Sequence, residues 1–170
     1  MPAARVNEAL VTASTTKRAL VRRFDRETLS GYVNPVTYLQ LTGIELLSPE
    51  GQVLIVPYGD LKMVAFVREF DTPSEPFRQI FRSRPKMEGL WIRVECRDGE
   101  ILEGIMPNNL LVIESHGFAL IPPDPNSNIQ RLFIPRSALR SVQVLGVVGS
   151  PLKKRKPKPV PKEQIGLFEE

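Results

Sequence analysis

Reactive side chains are scarce in this sequence of 170 residues, which has one cysteine and one histidine. A single cysteine excludes an internal disulfide and suits a reducing cytoplasm. Cys96 lies in a strand-like stretch and His116 is distant from it in sequence, so we interpret both as structural residues. Catalysis needs a nucleophile beside a base, or a cluster of metal ligands. We find neither pattern and expect no catalytic residue, metal site or cofactor, although a carboxylate pair formed by the fold remains open.

Long hydrophobic runs are absent as well. No stretch of about 18 apolar residues exists, so no segment is expected to span a membrane. The stretch from Met1 to Lys17 also lacks the apolar core of a secretory signal. Hydrophobic residues make up 42% of the sequence and charged residues 25%, which is typical of a globular protein with a buried core. We therefore expect a cytoplasmic protein.

The positive charge is concentrated at one end of the chain. The formal net charge is +4, and residues 151–170 hold six Lys or Arg and three Glu, a net of +3. The other 150 residues carry a net charge of +1. The excess charge therefore belongs to the tail and does not indicate a basic binding face on the folded body.

The body has the pattern of short β-strands separated by turns. We expect a loose arm at residues 1–16 and a linker at residues 71–90. Within that linker Phe77, Ile80 and Phe81 should pack onto the body, and their spacing allows one short helix. The expected strands are residues 17–24, 28–33, 43–47, 52–56 and 62–68 before the linker, and 91–97, 101–106, 110–113, 117–121 and 131–135 after it.

Two sequence anchors recur across the linker. Asp25 and Leu29-Ser30-Gly31 match Asp98 and Leu102-Glu103-Gly104 at an offset of 73 residues. A Pro-x-x-x-Leu-Lys/Arg-x-Val pattern that starts at Pro57 returns at Pro135, an offset of 78. The difference between the two offsets falls in turns, where insertions are tolerated. This pattern favours duplication of one unit over two unrelated meanders.

The repeated unit resembles the Sm-like family, which includes bacterial Hfq. The resemblance rests on the Asp98-Gly99 turn, the internal Gly104 of the following strand, and the last strand pair joined by one turn between Phe133 and Val142. It implies an all-β fold of two tandem five-stranded SH3-like or Sm-like barrels, at residues 17–70 and 91–148, and a disordered tail at 149–170. The stretch from Lys17 to Pro35 also looks like an uncharacterised bacterial family, which implies no function.

The resemblance to Hfq implies RNA binding, but the sequence keeps only part of the RNA-binding pattern. Hfq-type binding uses a Tyr-Lys-His segment before the last strand, and the matching positions are Tyr58-Gly59-Asp60 and Pro135-Arg136-Ser137. Arg136 alone keeps a cation there, and Asp60 introduces an acid. Sm-like barrels also associate edge to edge, which implies a homo-oligomer through barrel edges or packing of the two units on each other.

The tail has the composition of an extended, solvated segment, because it is rich in proline and charge and has few apolar residues. We interpret it either as a nucleic-acid arm, since cations near phosphates release counterions, or as a solubilising spacer. The predicted nucleic-acid contacts are Arg136 and the tail residues Lys153, Lys154, Arg155, Lys156 and Lys158.

Apolar residues recur at the end of the tail, although exposed apolar side chains do not stabilise a solvated segment. Gln164-Ile165-Gly166-Leu167-Phe168 resembles the bacterial sliding-clamp binding pentapeptide, Gln-Leu-Ser/Asp-Leu-Phe. The resemblance implies that Gln164 is a polar anchor, Ile165 takes the aliphatic position, and Leu167 and Phe168 fill a hydrophobic pocket. Gly166 departs from the pattern and raises the ordering cost. Docking of this segment on the protein's own body, or on an unrelated partner, remains the alternative.

Three functions follow from these patterns. The first is a non-enzymatic adaptor that the tail recruits to the DNA sliding clamp, with contact to nucleic acid. The second is an Sm/Hfq-like RNA-binding regulatory protein with a basic auxiliary tail. The third is a protein-docking module in which the units bind another protein.

Overall fold

The computed structural model describes residues 16–70, 78–124 and 126–149, and these residues form an all-β structure, as predicted. The described part of the chain contains two single-turn 3₁₀ helices, Leu110–Val112 and Arg136–Ala138, and no α-helix. No helix there has the length and hydrophobicity of a membrane span. The strands are β1 (Lys17–Arg23), β2 (Thr28–Val33), β3 (Gly43–Leu47), β4 (Val53–Pro57), β5 (Leu61–Val67), β6 (Gly89–Cys96), β7 (Ile101–Met106), β8 (Gly117–Leu120), β9 (Ile129–Pro135) and β10 (Leu139–Val148).

The strands form two sheets, which are not closed barrels. The larger sheet has seven strands in the order β4-β3-β2-β1-β5-β9-β8, and the smaller has three in the order β10-β6-β7. We call β1–β5 the first unit and β6–β10 the second unit. The second unit is divided between the sheets because β9 pairs with β5 of the first unit. A single bridge, between Ile105 and Ile121, connects β7 to the end of β8.

Gly31 and Gly104, at equivalent positions of β2 and β7, both lie close to the backbone of a neighbouring segment. A Cβ atom on Gly31 would lie 2.5 Å from the carbonyl oxygen of Leu47. A Cβ atom on Gly104 would lie 2.9 Å from the carbonyl oxygen of Ile121. In both units a neighbouring backbone therefore occupies the space that a side chain would need.

The last two strands of the second unit lie 78 residues after the last two strands of the first unit. β4 ends at Pro57 and β5 begins at Leu61, while β9 ends at Pro135 and β10 begins at Leu139. The register of β5 against β1 shifts beside Lys62, and that of β10 against β6 shifts beside Arg140. Each unit thus has a bulge at an equivalent basic residue, and a bulge redirects the side chain that it carries.

β5 and β9 supply both hydrophobic cores. Leu61, Val64 and Phe66 face a core built from the first unit, whereas Met63, Ala65 and Val67 face a core built from the second. From β9, Phe133 enters the first core and its neighbours Leu132 and Ile134 enter the second. Alternate side chains of a strand point to opposite faces, so each of these strands joins the two cores.

Two local expectations are corrected. Leu110–Ile113 was expected to be a strand, but Leu110–Val112 is a 3₁₀ turn, capped by Asn109 Oδ1, which accepts a hydrogen bond from the Leu111 amide. The linker has no helix between residues 78 and 88. Phe81 packs edge-on against Trp91 at a centroid distance of 6.1 Å, as expected, whereas Ile80 is exposed. Phe77 lies outside the described residues.

Phe133→Ala should destabilise the whole body, because the Phe133 side chain is 1% exposed and lies in the core of the other unit. We expect a loss of about 3–5 kcal/mol in the free energy of unfolding, measured in denaturant. The matched control is Ile55→Ala at the equivalent position of β4, where the side chain is 47% exposed. That control should cost less than about 1 kcal/mol. Equal losses in the two variants would contradict this account.

Candidate functional site

Arg136 is the one predicted site residue that lies within the described residues. It begins the turn between β9 and β10, and its side chain is exposed. Its backbone amide donates a hydrogen bond of 2.7 Å to the carbonyl oxygen of His116. In the described part of the chain its guanidinium has no hydrogen-bond or ion-pair partner. The other predicted residues lie outside the described residues: Lys153, Lys154, Arg155, Lys156, Lys158, Gln164, Ile165, Leu167 and Phe168.

The structure brings together the two segments that match the Tyr-Lys-His position. The Ser137 hydroxyl donates a hydrogen bond of 2.7 Å to the carbonyl oxygen of Tyr58. The ring of Tyr58 stacks on the ring of His116, with centroids 4.6 Å apart and an interplanar angle of 10°. The Tyr58 hydroxyl donates to the carbonyl oxygen of Gln40 at 2.6 Å, which orients the ring. Burial raises the pKa of this hydroxyl, so it remains a donor.

Arg97 completes this group, and we call Tyr58, Arg97, His116, Arg136 and Ser137 the junction cluster. The Arg97 guanidinium donates to the carbonyl oxygen of Gly59 at 2.5 Å and lies 3.8 Å from the centroid of the Phe24 ring. Because Arg97 is engaged, Arg136 is the cation of the cluster that remains available. Aromatic rings and an exposed cation on neighbouring segments are groups that single-stranded nucleic acid can use for stacking and phosphate contacts.

A charged cleft of about 710 Å³ lies between the first turn of each unit. At its base Lys62 Nζ donates to Asp98 at 2.6 Å and also to Glu100. Burial alone would lower the pKa of Lys62, but its hydrogen bonds to both carboxylates raise it. Burial would likewise raise the pKa of Asp98, and the bond from Lys62 lowers it. The acidic turn that contains Asp98 and Glu100 is therefore paired with Lys62 of the first unit and joins the two units.

The sequence did not single out Glu103, which is 3% exposed. Its carboxylate accepts hydrogen bonds from the Arg93 guanidinium at 2.7 Å, the Trp91 indole at 3.2 Å and the Phe81 amide at 3.1 Å. Burial favours the neutral acid, but these donors outweigh it and lower the pKa of Glu103. Glu103 therefore anchors the linker to the second unit. A glutamate in a strand is ordinarily exposed, so its residue type gave no signal of this role.

Cys96 is fully buried, and burial raises the pKa of its thiol to about 11. The reactive thiolate is therefore suppressed, which agrees with the structural role expected for this residue. Among residues 16–70, 78–124 and 126–149, no group of three or more His, Cys, Asp or Glu side chains is arranged to hold a metal ion.

Residues 15–146 match a family of unknown function, DUF6982. The chain belongs to this family. Searches of curated proteins and of solved structures found no match. The region shared with the DUF6982 family includes the first unit and all of the second unit but the last two residues of β10. It contains the junction cluster, the cleft and Glu103, and it ends before the basic tail.

Glu103→Ala should lower the free energy of unfolding by about 2–4 kcal/mol, because it leaves the Trp91 and Phe81 donors without their acceptor. The control is Glu95→Ala, which removes the half-exposed pair between Glu95 and Arg140. That change should cost less than about 1 kcal/mol. Denaturant unfolding at neutral pH measures both, and a smaller loss for Glu103→Ala than for Glu95→Ala would contradict the assignment.

Glu103 and Asp98 should also make the free energy of unfolding depend on pH. Folding lowers the pKa of both carboxyl groups. Their contribution to the free energy of unfolding is therefore complete when the pH is above their pKa values in the unfolded chain, near 4.5 for Glu103 and 3.8 for Asp98. It is lost as the pH falls through the lower folded values. The free energy of unfolding should thus stay constant in this respect from neutral pH to about pH 5 and decline below it, and less steeply in Glu103→Gln, which has one titrating group fewer. Parallel pH profiles would show that Glu103 does not contribute.

Proposed function

We propose that this chain is a non-enzymatic adaptor that is recruited to the bacterial DNA sliding clamp through Gln164-Ile165-Gly166-Leu167-Phe168. The observation that carries the proposal is this pentapeptide, which follows a basic, proline-rich spacer in the sequence. In this proposal Leu167 and Phe168 fill the clamp pocket, and the spacer lies near DNA, where its lysines release counterions.

Several polar side chains of the body have a structural role, which supports a binding function over a catalytic one. Lys62, Asp98 and Glu103 form contacts that hold strands and units together. The buried thiol of Cys96 resists ionisation. Strand order supports the further proposal that the units are tandem copies of one Sm-like fold. Neighbouring strands of the first unit follow the order β4-β3-β2-β1-β5. The second unit has the equivalent order, β9-β8-β7-β6-β10, in which a single bridge connects β8 to β7.

The clamp proposal is tested with the full chain and a purified bacterial sliding clamp. Leu167→Ala/Phe168→Ala should weaken binding tenfold or more in isothermal titration, about 1.4 kcal/mol, because both pocket-filling side chains are removed. The matched control is Leu152→Ala/Val160→Ala, which truncates two apolar residues of the same tail outside the pentapeptide. The control should bind like the wild type. Equal affinity of all three proteins would refute the proposal.

A second candidate function, binding of single-stranded RNA, is favoured by the junction cluster. The rings of Tyr58 and His116 stack, and the backbone of His116 is hydrogen-bonded to that of Arg136, whose side chain is exposed. Aromatic stacking and a phosphate contact recognise nucleic acid with little dependence on sequence. This candidate uses the body of the protein, whereas clamp binding uses the tail, so the two are tested separately.

Arg136→Ala should weaken binding of a single-stranded RNA by the full chain several-fold at about 0.15 M salt. Fluorescence anisotropy over a salt series should also show a slope smaller by about 1, as expected for the loss of one phosphate contact. Arg131→Ala is the charge-matched control, since Arg131 is exposed nearer the other end of β9. If both variants lose affinity equally, Arg136 has no specific role at the cluster.

A further inference from the structure

Two surface loops of the body contain no charged side chain. The first loop, residues 34–42, follows β2, and the second, residues 107–113, follows β7, the equivalent strand of the second unit. Charged residues make up 25% of the chain, and in proteins they are mostly exposed because water solvates them well. The absence of charge from both loops points to a contact with something less polar than water.

Each loop presents exposed aliphatic side chains on a turn that an asparagine side chain fixes. Asn34 Oδ1 accepts a hydrogen bond of 3.0 Å from the Val36 amide. Asn109 Oδ1 accepts one of the same length from the Leu111 amide. Val36 is 87% exposed and Leu111 is 92% exposed. The exposed apolar residues of the two loops are Val36, Leu41, Leu110, Leu111, Val112 and Ile113. An exposed apolar patch of this kind marks an interaction site.

The stacked rings of Tyr58 and His116 connect the two loops. The Tyr58 hydroxyl donates to the carbonyl oxygen of Gln40, which precedes Leu41 in the first loop. His116, whose ring stacks on that of Tyr58, lies three residues after Ile113 of the second loop. The loops that carry the exposed aliphatic residues are therefore held together through an aromatic pair.

The chemistry of the two loops matches that of a lipid bilayer. Aliphatic side chains are stabilised in hydrocarbon, and an uncharged loop enters it without the cost of desolvating a charge. A tyrosine suits the boundary with water, since its ring is apolar and its hydroxyl is polar. Protein interfaces depend more on tryptophan, tyrosine and arginine than on leucine and valine. Single-stranded nucleic acid is bound through stacking and phosphate contacts, which aliphatic side chains do not make.

Positive charge is present both near the loops and in the tail. Arg136 has an exposed side chain, and its backbone amide is hydrogen-bonded to the carbonyl oxygen of His116. Residues 151–170 hold six Lys or Arg and three Glu, a net charge of +3. Cations near an anionic bilayer are attracted to its head groups. Apolar insertion and a basic segment together hold a protein at a bilayer more firmly than either does alone.

We propose that the loops at residues 34–42 and 107–113 form a lipid-binding surface. Their exposed aliphatic side chains enter an anionic bilayer, and Arg136 contacts the head groups. The contact is peripheral, because two short loops reach only the boundary between the head groups and the hydrocarbon. It uses residues of the body and does not depend on clamp binding by the tail.

Vesicle flotation with the full chain tests the proposal. The vesicles are phosphatidylcholine alone, or an equal mixture of phosphatidylcholine and the anionic lipid phosphatidylglycerol. The wild type should float with the mixed vesicles and far less with the neutral ones, because its cations are attracted to anionic head groups. Leu110→Ser/Leu111→Ser should lower the partition coefficient about tenfold or more, since two leucine side chains no longer enter the hydrocarbon.

The matched control is Val53→Ser/Ile55→Ser, which truncates two exposed aliphatic side chains of β4, outside both loops. This control should float like the wild type. All four substituted side chains are exposed, so both variants should fold. A wild type that floats with neither kind of vesicle would overturn the proposal, as would equal flotation of the two variants. If Leu110→Ser/Leu111→Ser lost RNA binding and kept vesicle binding, the loops would belong to a nucleic-acid surface and the proposal would be wrong.

A fluorescent label locates the contact on the body. Leu111→Cys is labelled with a polarity-sensitive fluorophore in the full chain, whereas Cys96 is fully buried and does not compete for the label. The emission should shift to shorter wavelength with the mixed vesicles, because the label enters the hydrocarbon. Val53→Cys, labelled in the same way, is the control and should shift little, since Val53 is exposed outside both loops. Flotation without a shift at position 111 would show that another part of the chain holds the bilayer, and it would refute the assignment of the loops.

Discussion

The pairing of β5 with β9 is the contact on which both units depend. A regular strand would place Leu61 and Met63 on the same face, but the bulge at Lys62 sends Leu61 to the first core and Met63 to the second. From Met63 onward the side chains of β5 alternate between the two cores. Since Phe133 of the second unit completes the core of the first, neither unit has a complete hydrophobic core of its own.

The charged and aromatic groups of the body lie where this pairing places them. The turn before β5 and the turn after β9 meet, which brings Tyr58 beside Ser137 and His116. On the other side Lys62 reaches the acidic turn of the second unit at Asp98. The same contact that joins the cores thus creates the junction cluster and the cleft. Recognition of nucleic acid by the cluster would depend on the two units keeping their relative position.

The body and the tail divide the proposed work between them. The family match covers residues 15–146 and so describes the body. The proposed clamp contact at residues 164–168 depends on a short peptide, whose affinity comes from a few side chains and little from the fold that precedes it.

The sequence alone determined the all-β class, most strand positions, and the turns beside Pro57 and Pro135, because strand period and turn chemistry are local properties of neighbouring residues. It misassigned Leu110–Val112, where apolar residues form an exposed capped turn that no local pattern separates from a strand. Of the junction cluster it predicted Arg136, but not that Tyr58 and His116 stack. Only the tertiary structure decided that β9 pairs with β5, that Glu103 is buried, and which edges remain open. Those outcomes depend on contacts between residues distant in sequence, and such contacts leave no local signal in either partner.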